Sequence, residues 1–238
     1  MRIKYLWTLL IGVFTFTTAH ANVVITGTRV VYPADKKVVS VELENKQARP
    51  ALVQAWIEKD NSAGAQNITS VPFSINPPMT RVEANSRHTL RIRYTGEKLA
   101  QDRETLFYFN LLDIPPKPKA EEKADSYMQL TVRSRLKLFF RPHNLPYTVH
   151  DAYTKTVWQL DGRVLRVQNP TPYYITYEDV VVKQGNKVIS DIIKNGMVAP
   201  FSDLTFTLRH AVSRGDSVEW SVINDFGGST KGVTSLVR

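Results

Sequence analysis

The sequence predicts an all-β protein built from two sandwich domains. Short runs of β-branched and aromatic residues alternate with polar ones at period 2 along most of the chain. Turn residues separate those runs at short intervals, and beyond the first twenty or so residues no long window holds a helical apolar stripe. A stiff stretch with two prolines, Pro142-His143-Asn144-Leu145-Pro146, divides one set of such strands from a second.

Taken in order, the chain opens with basic Arg2 and Lys4, an apolar run from Leu6 to Phe16, and Ala19-His20-Ala21. That is the pattern of a signal peptide, residues 1–21, cleaved after Ala21. A membrane anchor needs roughly 18 or more apolar residues, and this run is shorter and interrupted by threonines. Val23 to Tyr32 then reads as one β-branched strand that closes at Pro33. Val38 to Leu43 alternates, Ala51 to Ile57 is a further strand, and Thr89 to Tyr94 sets Leu90, Ile92 and Tyr94 against Thr89, Arg91 and Arg93. Between them Asn76-Pro77-Pro78 marks an edge or a kink and admits a cis bond. Leu106 to Leu112 is nearly all apolar, the pattern of a strand buried on both faces.

Pro115 to Asp125 combines prolines and charges with no large apolar residue, so it reads as a mobile loop or as an ordinary variable hairpin loop. Beyond the double-proline stretch, strands resume at Val157 to Leu160, Val164 to Val167 and Ser217 to Ile223, with hairpin signals at Asp161-Gly162 and Gly185-Asn186. Both halves fit sandwiches of the immunoglobulin type, without the cysteine pair of antibody domains. The expected division is a first domain over residues 22–142, a linker at 143–146 and a second domain over 147–238.

The central stretch is Ser126 to Arg141. Met128, Leu130, Val132, Leu136 and Leu138 share one parity, and Gln129, Thr131, Arg133, Arg135 and Lys137 the other. Period 2 over that length gives a long, two-faced strand. It can finish this chain's own sheet, with its cations discouraging aggregation at an edge. Alternatively, part of its apolar row is lent to another protein's sheet. Periodicity does not choose between the two.

Composition removes several classes of function. The chain has no cysteine, which excludes thiolate catalysis and cysteine metal sites. Its five histidines lie far apart without metal spacing. No Gly-x-Ser-x-Gly elbow, phosphate loop or dinucleotide fingerprint occurs. The expectation is therefore a protein that is not an enzyme and needs no cofactor or metal. The formal net charge is +9, or +7 without Arg2 and Lys4, but the cations are scattered over strands with no nucleic-acid-binding motif or aromatic platform. No nucleic acid partner is expected.

Two stretches, Leu136-Lys137-Leu138-Phe139-Phe140-Arg141-Pro142 and Gln101-Asp102-Arg103-Glu104-Thr105-Leu106-Phe107-Tyr108-Phe109-Asn110, closely resemble the periplasmic pilus (fimbrial) assembly chaperones of the PapD and FimC type. Gln168-Asn169-Pro170-Thr171-Pro172-Tyr173-Tyr174 and Ile223-Asn224-Asp225-Phe226-Gly227-Gly228 extend the likeness to the second half. The resemblance implies two immunoglobulin-like domains set at an angle, boomerang-like, with a cleft between them. It implies a periplasmic chaperone that folds and caps pilus subunits by donor-strand complementation and delivers them to an outer-membrane usher.

In that family two cations at the positions of Arg29 and Lys137 anchor the subunit's C-terminal carboxylate. Met128, Leu130 and Val132 would be the lent side chains, and Glu104, Arg141 and Asp225 an ion network between the domains. Read from the residues alone, the cations and carboxylates are equally solvated surface charges, and Met128, Leu130 and Val132 equally this domain's own core, a reading that suits Leu136, Leu138 and Phe140 at the other end of the strand better. Pairing of free molecules to hide the lending strand stays open. No membrane span is expected after signal cleavage. The rival class is a secreted adhesin or carbohydrate-binding module of two sandwiches, which would place exposed aromatics in its loops or on an open sheet face.

Overall fold

A computed structural model describes residues 23–59, 71–116, 130–190, 192–212 and 215–237. The expected signal peptide, Met128 and most of the loop before the long strand lie outside these residues.

The first half of the chain forms β1 (Val23–Ile25), β2 (Arg29–Pro33), β3 (Val39–Asn45), β4 (Ala51–Glu58), β5 (Phe73–Asn76), β6 (Met79–Val82), β7 (Arg87–Tyr94), β8 (Thr105–Ile114) and β9 (Val132–Arg141). They lie in two facing sheets, one ordered β1-β3-β7-β5 and the other β2-β9-β8-β4-β6. The second half contributes the short helix α1 (Val149–Tyr153), then β10 (Val157–Asp161), β11 (Val164–Asn169), β12 (Ile175–Gln184), β13 (Lys187–Val188), β14 (Ile193–Val198), β15 (Ser202–Thr207), β16 (Ser217–Ile223) and β17 (Ser229–Val237). Here β17 pairs antiparallel with β16 and, at its end, parallel with β10, so that one strand joins the two layers.

Three strand expectations need correction. The long strand expected from Ser126 begins at Val132 among the described residues, because Leu130 and Thr131 have no strand partner. Val23 to Tyr32 is not one strand: β1 pairs with β3 in one sheet, while β2 runs parallel to β9 in the other. The chain changes sheets at Gly27, whose φ of +103° is a conformation that side chains with a Cβ rarely adopt. Leu106 to Leu112 is buried on both faces only at its centre, where Asn110 on the outer side is fully buried and accepts from Arg133. Phe107, Phe109 and Leu111 fill the core, whereas Leu106, Tyr108 and Leu112 are half-buried. The outer face is covered in part by cationic side chains from β9, whose stems and guanidinium planes shield apolar surface without forming a second core.

The helix α1 is too short to leave a periodic trace, but its start is encoded locally. The Thr148 side chain accepts from Asp151 N, and the Asp151 carboxylate accepts in return from Thr148 N. The Asn76–Pro77 bond is cis.

Each half has its own core. In the first, Tyr32, Phe73, Phe107 and Phe140 pack as a ring cluster, with Phe73 and Phe107 centroids 5.0 Å apart. In the second, Trp158 meets Tyr177 at 5.1 Å and Phe206 at 6.2 Å. Leu138 and Phe140 belong to the first core and are fully buried. Burying each of them stabilises the domain by roughly 1.5 to 3 kcal/mol.

Candidate functional site at the hinge and along the long strand

The properties of β9 change along its length because its neighbours do. From Lys137 to Arg141 it lies between β2, in parallel register, and β8, in antiparallel register. From Val132 to Leu136 it pairs with β8 alone, and among the described residues its other edge carries no strand. Burial follows the same division. Leu138, Phe139 and Phe140 are buried, Ser134 to Lys137 are half-buried, Val132 is 41% exposed, and Leu130 just before it is 70% exposed. An apolar row leading out of the core onto an open edge is the form of a strand that adds to another sheet.

The outward side of β9 is held by charge. Glu58 at the end of β4 receives Arg133 and Arg135, each at 2.9 Å. The Arg133 guanidinium lies over the Trp56 ring at 5.0 Å and that of Arg135 over Tyr108 at 3.8 Å. These contacts fasten the half-open segment of β9 to β8 and β4.

At the buried end the two expected cations are brought together. Arg29 on β2 and Lys137 on β9 are register partners, so their side chains leave the same face of neighbouring strands. Each is half-buried and reaches the second half of the chain. Arg29 Nη1 donates to Ile223 O at 2.7 Å, and Lys137 Nζ donates to Thr176 Oγ1 at 3.2 Å. Arg29 Nε is buried with no partner. Burial, and then the charge of Arg29, pull the Lys137 ammonium down to about 8. Burial lowers Arg29 as well, against the opposing pull of Tyr153, Asp225 and Glu104. Two desolvated cations with unspent donors are suited to a two-oxygen anion.

The three residues expected to form an ion network are also in contact. Arg141 Nε donates to Glu104 Oε1 at 2.7 Å, and Arg141 Nη1 and Nη2 donate to the two oxygens of Asp225 at 2.6 and 2.9 Å. Glu104, 2% exposed, accepts from Tyr174 N at its other oxygen, 2.8 Å away, and its own N–H donates to Pro172 O at 2.9 Å. Burial pushes the Glu104 carboxyl above its ordinary range even though Arg141 and the Tyr174 N–H draw it down. Burial opposes the Arg141 charge, yet its bonds to Asp225 and the charge of Glu104 outweigh that and hold the guanidinium protonated more firmly than usual. The loop that presents Asp225 is tightly fitted: a Cβ on Gly227, at φ +83°, would stand 2.5 Å from Thr28 Oγ1.

Of the three lent residues expected, Leu130 and Val132 stand on the exposed part of the row, and Met128 falls outside the described residues. Reasoning from sequence missed Thr176, the Ile223 carbonyl, Tyr153 and Glu58. A main-chain carbonyl leaves no trace in composition. Tyr153 is one of two buried residues on the short helix α1, and burial pushes its hydroxyl up to about 12.

Two immunoglobulin-like sandwiches clasped through a charged hinge, with one strand running from core to open edge, are the build of the two-domain assembly chaperones. Comparison with known proteins makes the family explicit. Residues 22–146 match the family described as pili and flagellar-assembly chaperone, PapD N-terminal domain, and residues 151–234 match the pili assembly chaperone PapD, C-terminal domain. The chaperone protein HifB of Haemophilus influenzae is 48% identical over 218 residues, which cover 90% of this chain and 88% of the relative. The crystal structure of the Pseudomonas aeruginosa CupB2 chaperone superposes with a TM-score of 0.76 at 36% identity, covering 90% of this chain and 100% of that one. The Salmonella enterica SafB chaperone, solved in complex with the SafA pilin, gives 0.73 at 32% identity over 90% and 96% of the two chains. The chain belongs to the PapD-type pilus-assembly chaperone family, which is a family of chaperones and not of enzymes.

Proposed function

We propose that this protein acts in the periplasm, where it captures pilus subunits by lending them the open part of β9 and delivers them to an outer-membrane usher. The observation that carries the reading is the division of one strand into a kept end and an offered end. Leu138 and Phe140 are spent in the first core, while Val132 and Leu130 continue the same row into solvent.

The subunit's C-terminal carboxylate would enter between Arg29 and Lys137 and accept charge-assisted bonds of roughly 1.5 to 3 kcal/mol each. With the carboxylate fixed, register follows. Val132, Leu130 and then Met128 fall at alternate positions of the subunit's open groove, each contributing roughly 1.5 to 3 kcal/mol when fully buried. Burial and hydrogen bonding drive capture, so no nucleotide is consumed. In this reading the units are a cleaved signal at residues 1–21, domains at 22–142 and 147–238, and a linker at 143–146. Glu104, Arg141 and Asp225 then set the angle between the domains.

SafB, a relative of similar fold, was solved in complex with a pilin, which supports a subunit as partner here. The adhesin or carbohydrate-binding reading is not retained, because the family is one of chaperones.

Co-expression with pilus subunits in a bacterial periplasm, followed by affinity recovery of the chaperone, tests the proposal. Subunit should be recovered with the wild type and lost with Leu130→Asp. Equal recovery with both would overturn the donor-strand reading.

A further inference from the structure

Both cations of the proposed anchor stand on the first domain, but each has an acceptor on the second. For Arg29 the acceptor is a main-chain carbonyl, Ile223 O, at 2.7 Å. For Lys137 it is the side chain of Thr176 on β12, at 3.2 Å.

Thr176 is placed unusually for a polar residue. Its neighbours Ile175 and Tyr177 are 0% and 1% exposed and belong to the second core. Successive residues of a strand face opposite sides, so Thr176 points away from that core. It is nevertheless only 7% exposed. A buried hydroxyl is costly unless bonded, and here the Lys137 ammonium supplies the donor.

We infer that Thr176 is a positioning residue for the carboxylate anchor: its hydroxyl, aimed across the hinge by the second domain, holds the Lys137 ammonium in the pose that receives a subunit's C-terminal carboxylate. The inference rests on the anchor reading of Lys137 and deepens it. Because the acceptor belongs to the other domain, the anchor is complete only when the hinge holds the two domains together. The ion network of Glu104, Arg141 and Asp225 and the capture site are thus coupled through Thr176.

The groups facing Lys137 show what the hydroxyl adds. Arg29 faces it from β2 and Tyr108 from β8, Arg135 flanks it on β9, and Thr176 meets it from β12. Tyr153 of α1, Asp225 and Glu104 act on Arg29 behind it. Arg29 and burial disfavour the ammonium, whereas the Thr176 oxygen accepts from it and favours it.

The test uses the full chain, wild type and as Thr176→Val, Thr176→Ser and Lys137→Ala. Two quantities are measured: the Lys137 titration midpoint by side-chain NMR in the free chaperone, and capture of one co-expressed pilus subunit at pH values on either side of 8. Thr176→Val keeps the shape of threonine and should keep the melting temperature. It should move the Lys137 midpoint below its wild-type value and weaken capture about tenfold, the scale of one charge-assisted hydrogen bond. Thr176→Ser should restore both. A wild-type midpoint with wild-type capture in Thr176→Val overturns the inference, as does a loss that serine fails to restore. Normal capture by Lys137→Ala is a different failure, since it removes the anchor reading itself.

Discussion

Replacing a leucine by aspartate at the two ends of one apolar row should produce opposite failures. Leu138 is 0% exposed, packed in the first core and paired with Val30 on β2 and Phe107 on β8. Leu138→Asp removes a buried alkyl group worth roughly 1.5 to 3 kcal/mol and leaves a carboxyl in an apolar site at a further cost of several kcal/mol. Together these approach the roughly 5 to 15 kcal/mol that holds a domain folded, so the variant should unfold or melt far below the wild type. Leu130 is 70% exposed, and Leu130→Asp puts its charge into water. The free chaperone should melt within about 0.5 kcal/mol of wild type, yet its charge would have to enter the groove of a captured subunit. Thermal melts followed by circular dichroism, together with recovery of co-expressed subunit, read both effects. Comparable melting losses for the two variants would show that the whole strand is ordinary core, and strand lending would have to be abandoned.

Three further outcomes follow from the hinge. Arg29→Ala and Lys137→Ala should each leave a folded chaperone that fails to recover subunit, with a double variant no worse than either single, because in the proposed reading both cations would act at one carboxylate; normal recovery by both singles would refute the anchor. Arg141→Ala strands Glu104 as a buried carboxylate without its cation, which should cost about 3 to 5 kcal/mol and broaden the scattering profile as the domains separate; unchanged melting and scattering would remove the network from the hinge. Burial and Arg29 draw Lys137 down to about 8, and in the proposed reading it would have to be charged to hold a carboxylate, so a carboxylate partner would raise its proton affinity and capture should weaken as pH rises through 8. The free chaperone's own stability moves the other way, since unfolding returns Lys137 toward its ordinary 10.5 and the unfolded chain then binds more protons between the two values. Subunit affinity that stays flat across this range would contradict the placement of Lys137.

Local pattern determined much of this protein. The period-2 runs placed most of the longer strands of the first half but only β10, β11 and β16 of the second, the Asp161-Gly162 and Gly185-Asn186 pairs placed hairpins whose glycines take φ of +55° and +56°, and the even and odd rows of β9 were readable as two faces. Pattern alone could not say that Leu138 is buried and Leu130 exposed, because the two share a parity and a side-chain type. Tertiary structure decides it: β2 covers β9 only from Lys137 onward, and that depends on the chain changing sheets at Gly27, more than a hundred residues earlier. The Leu106 to Leu112 run shows the same limit, since its apolar outer side is shielded by arginines and not by a second core. The pairing of Arg29 with Lys137, and of Arg141 with Glu104 and Asp225, came from family likeness and not from spacing. Thr176 and the Ile223 carbonyl came from neither, because they meet their partners only when two separately folded domains are clasped. Sequence period reports which side chains share a face. What covers that face depends on contacts between residues far apart in the chain, and only the folded arrangement specifies them.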